Sequence, residues 1–510
     1  MKNVVISLFL FLLGILMYVF TVRGVYGPID MSRIHDTLDI VSKPFELSPE
    51  RGRYILTYSL AERQSFSLDE TLATAANPDV GYYKGRYYVY FAPGVSILSL
   101  PLYHLGKLYN IPQVGAFFTI SLFAAANLVL IYLLSRKLLG VHAIPAVIAA
   151  LVFGFASTSW SYAITMYQHH VTTFFILSSF LAVWISINHK RYSFLASVYV
   201  WGAFGISLFV DYPNAILLLP VVCYFLYSFF STKTVGKKMI FSYSLVPLIT
   251  SVLFFVLVGL HGYYNYAHFD SPTRLSGSLV GFDNLNSKKL TEAETSEEKI
   301  SELANEKDQQ SYFKEKDLPR GFSILTGSQD RGLFFYSPIF FLAFLGIGFG
   351  LKKFNAQQFF LLSTVAANLF LYSSWGDPWG GWAFGPRYLI PTMAILAMYI
   401  GLWLTKTKKY YVSRFSTFIL FATSCAISLL GVLTTNQVPP KVEADFLKIR
   451  YSYFLNFDYL SKGMSSSYFY NEYISHILTL EQFYFVLLSS ILSLVFIVIF
   501  IVPGFAENED

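Results

Sequence analysis

The sequence predicts an all-α polytopic membrane protein, a bundle of about twelve transmembrane helices with large extracytoplasmic loops. Three observations predict it. The 510 residues are 55% hydrophobic and only 13% charged, against about 25% charged in a soluble domain. The apolar residues gather in runs near membrane-spanning length, about 17–25 residues. The basic residues recur at every second connection between those runs, which marks the cytoplasmic side. The two cysteines, Cys223 and Cys425, lie inside apolar runs and give neither a disulfide framework nor metal spacing. The net charge of +6 has its meaning only in where the charges sit, and no nucleic-acid partner is expected.

Met1-Lys2-Asn3 precedes an apolar run at 4–22. It is longer than a signal-peptide core and is followed by no clear small-residue cleavage site, so it reads as an uncleaved first span. Further spans are expected at 114–134, 143–160, 170–187, 194–210, 215–230, 239–262, 335–350, 357–372, 388–404, 415–433 and 482–502. Arg136-Lys137, Lys190-Arg191, Lys233 with Lys237-Lys238, Lys352-Lys353, and Lys406, Lys408, Lys409 and Arg414 all fall on the side of Lys2. Both termini are therefore expected to be cytoplasmic, including the acidic tail that ends at Asp510.

The outer face collects the polar material. Three long loops lie there, at 24–112, 263–334 and 434–480, with short turns at 211–213 and 375–387. The organisation expected is a transmembrane module at 1–435, followed by an outer loop and a last span at 436–510. In the first loop, 53–64 fits a short amphipathic helix at the interface. Glu50 just before it has two readings: a carboxylate favoured at a helix start, or a functional carboxylate. Ala92-Pro93-Gly94 makes a turn, and the short Pro-broken apolar segment after it is expected on the membrane surface or dipping in. The insert at 288–317 is dense in Glu, Lys and Asp and reads as solvated chain. The turn from Trp375 to Arg387 holds three Trp, four Gly and two Pro, which excludes a helix interior. Its glycines permit close backbone approach to a ligand. Arg387 at the mouth of the next span either snorkels to headgroups or clamps a phosphate bidentately. Asp211 is a span-end polar group or a partner of acceptor or arginine. His169-His170 would suit a metal, but no third ligand sits at suitable spacing.

Taken in order, Glu50-Arg51-Gly52-Arg53-Tyr54, Tyr87-Tyr88 with Ala92-Pro93-Gly94, Asp211-Tyr212-Pro213, Arg331 to Pro338, and Gly381 to Tyr388 resemble the GT-C superfamily of polytopic glycosyltransferases. Within it, the pattern is nearest to bacterial relatives of protein O-mannosyltransferases and lipid A aminoarabinose transferases. The resemblance covers the chain to about residue 435. It implies a GT-C-like bundle and a glycosyltransferase in the cell inner (plasma) membrane. The donor would be a polyprenyl-phosphate-linked sugar, the acceptor an extracytoplasmic lipid, polysaccharide or protein, with no required cofactor or metal. It further implies Glu50 as general base, Arg387, Arg331 and Tyr88 around the donor phosphate, and Arg53, Asp69, Asp211, His169 and Trp382 around the acceptor or in support. Two departures stand out: Glu50 where Asp is usual, and Phe91 or Ala92 where a lysine often precedes the proline. A multipass transporter or flippase, and an inactive scaffold, are the rival classes. The transporter reading would call for ionisable residues or broken helices near mid-membrane.

Overall fold

The structure, a computed structural model, describes residues 2–34, 43–235, 238–281, 313 and 318–502. The charged insert, apart from Phe313, and the acidic tail lie outside the described residues. Eight helices are long and apolar enough to cross a membrane: Lys2–Thr21, Pro112–Leu138, His169–Asn188, Lys190–Val210, Val246–Phe269, Arg387–Thr407, Tyr411–Leu433 and Leu480–Ile501. The other four expected spans are also helical, as Ala143–Phe155, Asn214–Ser228 and Pro338–Leu351 and as Ala356–Ser373. The first three of these are shorter. The protein is an integral membrane protein, and among the described residues eight helices have the length and composition of spans.

Local chemistry explains the short helices. The run expected to continue to Trp160 stops at Phe155. There the hydroxyls of Ser157 and Ser159 both donate to the Phe153 carbonyl, at 2.7 and 2.5 Å, competing with the helix's own donors. Pro220 and Pro338 lack an N–H and stand at helix starts, where that loss costs least. The span expected from Met239 begins at Val246, because Phe230–Val235 and Lys238–Tyr243 pair as an antiparallel hairpin. It runs on to Phe269, and Asp270, in the left-handed region at φ 54°, ends it.

We number α1 Lys2–Thr21, α2 Ser48–Arg63, α3 Glu70–Ala76, β1 Val80–Tyr83, β2 Arg86–Val89, α4 Gly94–Leu108 and α5 Pro112–Leu138. The bundle is built around α5 and Ile390–Thr407. The first packs on α1, α4, Ala143–Phe155 and His169–Asn188; the second packs on Phe341–Leu351, Ala143–Phe155 and α5. Of their most apolar windows, 67% and 94% are buried, against 28% for α1 and 22% for Val246–Phe269. The outer two helices thus leave most of their apolar surface for lipid. Close packing at the centre relies on small residues, as is usual between membrane helices. A Cβ on Gly346 would stand 1.9 Å from the Tyr399 carbonyl oxygen.

The described part of the first loop forms a cap of short helices and strands. Its helix α2 does not lie on a surface, since Gly52 to Thr57 are buried in succession. The apolar segment after Pro93 forms α4, a 15-residue helix that contains Pro101 and packs on α2 and α5. Between them, β1 pairs with β2 and with Val280–Gly281. The last outer loop is laced to this cap. Glu46 forms a buried ion pair with Arg23 and accepts the Asn436 N–H at 2.9 Å. The Gln437 side chain donates to the Glu46 carbonyl.

The packing predicts an asymmetry within one helix. Gly346→Ala should lower stability by about 1–3 kcal/mol, the cost of overpacking. Gly348→Ala, where nothing lies within 4 Å of the new Cβ, should leave stability unchanged or raise it. Melting temperatures of the two variants in detergent check this.

Candidate active site

One cavity of about 470 Å³ collects the outer ends of the bundle. Its walls come from α2 (Pro49, Arg53), the residue before β1 (Asp79), the residues after β2 (Tyr90, Phe91), the start of His169–Asn188 (Tyr167, Gln168, His169), and the end of Lys190–Val210 (Asp211 to Pro213). Tyr372, Trp375, Arg387 and Tyr388 complete them. The basic residues Lys190 and Lys406 stand at the opposite ends of these same helices. The cavity therefore lies at the end of the bundle opposite these basic residues.

Two guanidinium groups dominate its electrostatics. Arg53 is only 2% exposed. Its Nη1 donates to the Pro49 carbonyl at 3.0 Å, and its plane sits 4.1 Å from the Phe91 ring centre. Burial brings its pKa down to about 10, with Asp211 the largest opposing influence, so it stays charged at neutral pH. Arg387 is 8% exposed and lies over Tyr167 at 5.0 Å and Tyr388 at 5.5 Å. Its Nη2 donates to the Gly380 carbonyl at 2.7 Å. Gly380 has φ +68°, and a Cβ there would come within 3.1 Å of the Arg387 Nε, so only glycine lets the turn wrap the side chain. Tyr388 is stacked on Tyr372 at 4.2 Å and 3°, and its carbonyl accepts from Asn368 at 3.1 Å.

Several buried polar atoms on these walls meet no hydrogen-bond partner: Arg53 Nε, Arg387 Nε and Nη1, Tyr167 OH, His169 Nε2 and Asp79 Oδ2. Each such atom costs about 1–3 kcal/mol when left unmatched. A cluster of them, rich in cationic donors, is what an anionic ligand would satisfy. Two carboxylates face this field. The Gln168 amide donates to Asp211 at 3.0 Å, while Asp79 Oδ2 meets no hydrogen-bond partner among the described residues. Burial raises the pKa of both, with Arg53 opposing the rise. Among the described residues, no three His, Cys, Asp or Glu side chains gather to hold a metal ion.

Of the residues singled out in the sequence, Arg53, Asp211, His169 and Arg387 meet in this cavity. The rest stand elsewhere. Glu50, 1% exposed, does not line the cavity; it sits at the start of α2 and accepts from the Glu46 N–H at 2.5 Å, the Leu47 N–H at 3.3 Å and the Thr165 hydroxyl. Arg331 is fully buried. Its guanidinium donates to the carbonyls of Asp330, Trp379, Gly381 and Val438, so it shapes the Trp-Gly turn. Tyr88 packs on Phe269. Asp69 caps α3 by accepting from Leu72 and pairs with Arg63. The indole of Trp382 donates to Glu443, and it is Trp375 that reaches the cavity. Sequence reading passed over Asp79 and Tyr372; the one available signal was an acidic residue directly after Asn77-Pro78 in a loop already marked out.

No protein-family model and no curated protein matches the sequence. Among solved structures, the chain is similar to ArnT from Cupriavidus metallidurans in the apo state, at 14% identity and a TM-score of 0.47, covering 84% of this chain and 64% of that one. It is similar to the same protein bound to undecaprenyl phosphate, at 14% identity and a TM-score of 0.46, with the same coverage. It is also similar to the archaeal oligosaccharyltransferase AglB from Archaeoglobus fulgidus, in complex with an inhibitory peptide and a dolichol-phosphate. There the identity is 14% and the TM-score 0.44, over 93% of this chain and 60% of that one. This chain thus spans less than two thirds of the length of these neighbours. ArnT and AglB are membrane glycosyltransferases of the GT-C superfamily.

The burial of Glu50 has a measurable consequence. Its carboxyl is raised above the ordinary value of 4.5, by desolvation first and by Glu46 second. The folded state therefore holds a proton that the unfolded state releases, and stability falls as pH rises through this interval. Glu50→Gln should flatten the decline in melting temperature between about pH 5 and about pH 8. An unchanged slope would show that Glu50 does not titrate as its surroundings dictate.

Proposed function

We propose that this protein is a GT-C-like glycosyltransferase of the plasma (inner) membrane. It moves a sugar from a polyprenyl-phosphate donor to an extracytoplasmic acceptor, with both termini in the cytoplasm. The observation that carries the reading is the pair of buried guanidiniums, Arg53 and Arg387, with unmatched donors in one aromatic cavity at the outer end of a membrane bundle. Guanidinium matches phosphate oxygens in a planar fork. In a site shielded from water, such donors stabilise the charge that builds on a departing phosphate. Ala215, Ile216 and Leu275 give the same cavity an apolar side, suited to the isoprenyl carbons next to that phosphate. Tyr167, Tyr372, Trp375 and Tyr388 offer ring faces and hydroxyls to a sugar.

Phe91 accounts for a departure noted in the sequence. The position where relatives often carry lysine holds a phenyl ring, and that ring supports Arg53. The cation is thereby supplied from α2, by a residue in the Glu50-to-Tyr54 motif.

Arg387→Ala should cut transfer from a radiolabelled polyprenyl-phosphate hexose by about 10²–10³-fold. Arg387→Lys should restore only part, because an ammonium cannot bind in a fork. Transfer and polyprenyl-phosphate binding that both persist at wild-type levels in Arg387→Ala would overturn the reading.

A further inference from the structure

The transfer reaction requires a group that takes the proton of the acceptor hydroxyl, and the motif resemblance points to Glu50. The geometry points elsewhere: resting on the glycosyltransferase reading above, we propose that Asp79 is the carboxylate that accepts this proton. Three observations carry it. First, Asp79 lines the cavity and Glu50 does not; both Glu50 oxygens are already occupied, by two backbone N–H groups and the Thr165 hydroxyl.

Second, the Asp79 carboxylate has a buried oxygen left unmatched, Oδ2. The other cavity carboxylate, Asp211, has its Oδ2 engaged by the Gln168 amide. Third, the Asp79 backbone is held in place in the cavity that Arg53 and Arg387 also line. Its N–H donates to the Ala76 carbonyl at 3.3 Å, and its own carbonyl accepts from Tyr90 at 3.0 Å. Its charge is felt by, in order, Arg53, Arg51 and Arg387. Arg51 is turned to the Asn77 carbonyl, so the chain beside Asp79 is held from that side as well.

The step balances as follows. The acceptor oxygen bonds to the anomeric carbon as its proton passes to the Asp79 carboxylate, which lines the cavity. The bond from that carbon to the donor phosphate oxygen breaks, and its electron pair leaves with the phosphate. The resulting lipid phosphate dianion is held by Arg53 and Arg387. Asp79 then returns its proton to solvent when the site opens.

The groups facing Asp79 set its pH response. Burial raises its pKa, while Ser48, Arg53, Arg51 and Arg387 oppose the rise. The acidic limb of the rate profile should therefore lie above that of an ordinary exposed aspartate.

The test separates binding from chemistry. Wild type, Asp79→Asn and Asp79→Glu are compared for polyprenyl-phosphate binding and for hexose transfer. A base that faces the phosphate clamp gives Asp79→Asn with binding equal to or tighter than wild type, because a negative charge has left the site. Its transfer should fall by about 10²–10⁴-fold, with partial rescue by Asp79→Glu. A merely structural Asp79 would weaken binding and transfer together, and that result overturns the assignment. So does full transfer by Asp79→Asn; loss of transfer in Glu50→Gln at wild-type stability would then move the role to Glu50. A wild type that neither binds the lipid phosphate nor transfers sugar removes the functional reading, and this assignment with it.

Discussion

Two arginines, Arg53 and Arg387, held out of water and with no ion pair to a carboxylate among the described residues, are the constraint on which this structure turns. Leaving a buried charge uncompensated costs several kcal/mol, so the fold must supply other support. It does so with rings and carbonyls. Phe91 and Tyr167 lie against Arg53, and Tyr167 and Tyr388 against Arg387, contacts that strengthen once desolvated. The Pro49 and Gly380 carbonyls take one N–H from each. What is left unmatched is cationic and directional, which is the condition for binding an anion.

The rest of the outer face serves to keep these groups in place. Arg331 draws Trp379, Gly381 and Val438 together, which fixes the turn that Arg387 threads. Glu46 ties Arg23, at the end of the first span, to Asn436 in the last outer loop. Residues 390 positions apart in the chain are thereby joined. Helices buried at the centre, α5 and Ile390–Thr407, give that cap a rigid base.

Much of the fold was legible in the sequence, because apolar run length and basic connections act locally. Each of the twelve expected stretches contains a helix, and eight helices among the described residues have the length and apolarity to span. The misreadings have local causes. Ser157 and Ser159 end a helix that hydropathy alone would continue, and a hairpin takes the start of the run at 239. The site was legible in part. Arg53, Asp211, His169 and Arg387 stand at motif positions and do converge. Glu50 and Arg331 carry the same chemistry in the sequence, but partners far along the chain engage them elsewhere: the Thr165 hydroxyl for one, the Val438 carbonyl for the other. Asp79 went unnoticed for the converse reason. Nothing next to it in sequence announces that Arg53 and Arg387 will face it.

The most direct test of this account is a structure of the purified protein with polyprenyl phosphate. The account predicts the phosphate between Arg53 and Arg387, with its oxygens within hydrogen-bonding distance of Arg387 Nη1 and Arg53 Nε. A lipid phosphate bound at another place on the bundle, with both guanidiniums unchanged and the cavity open to water, would contradict it.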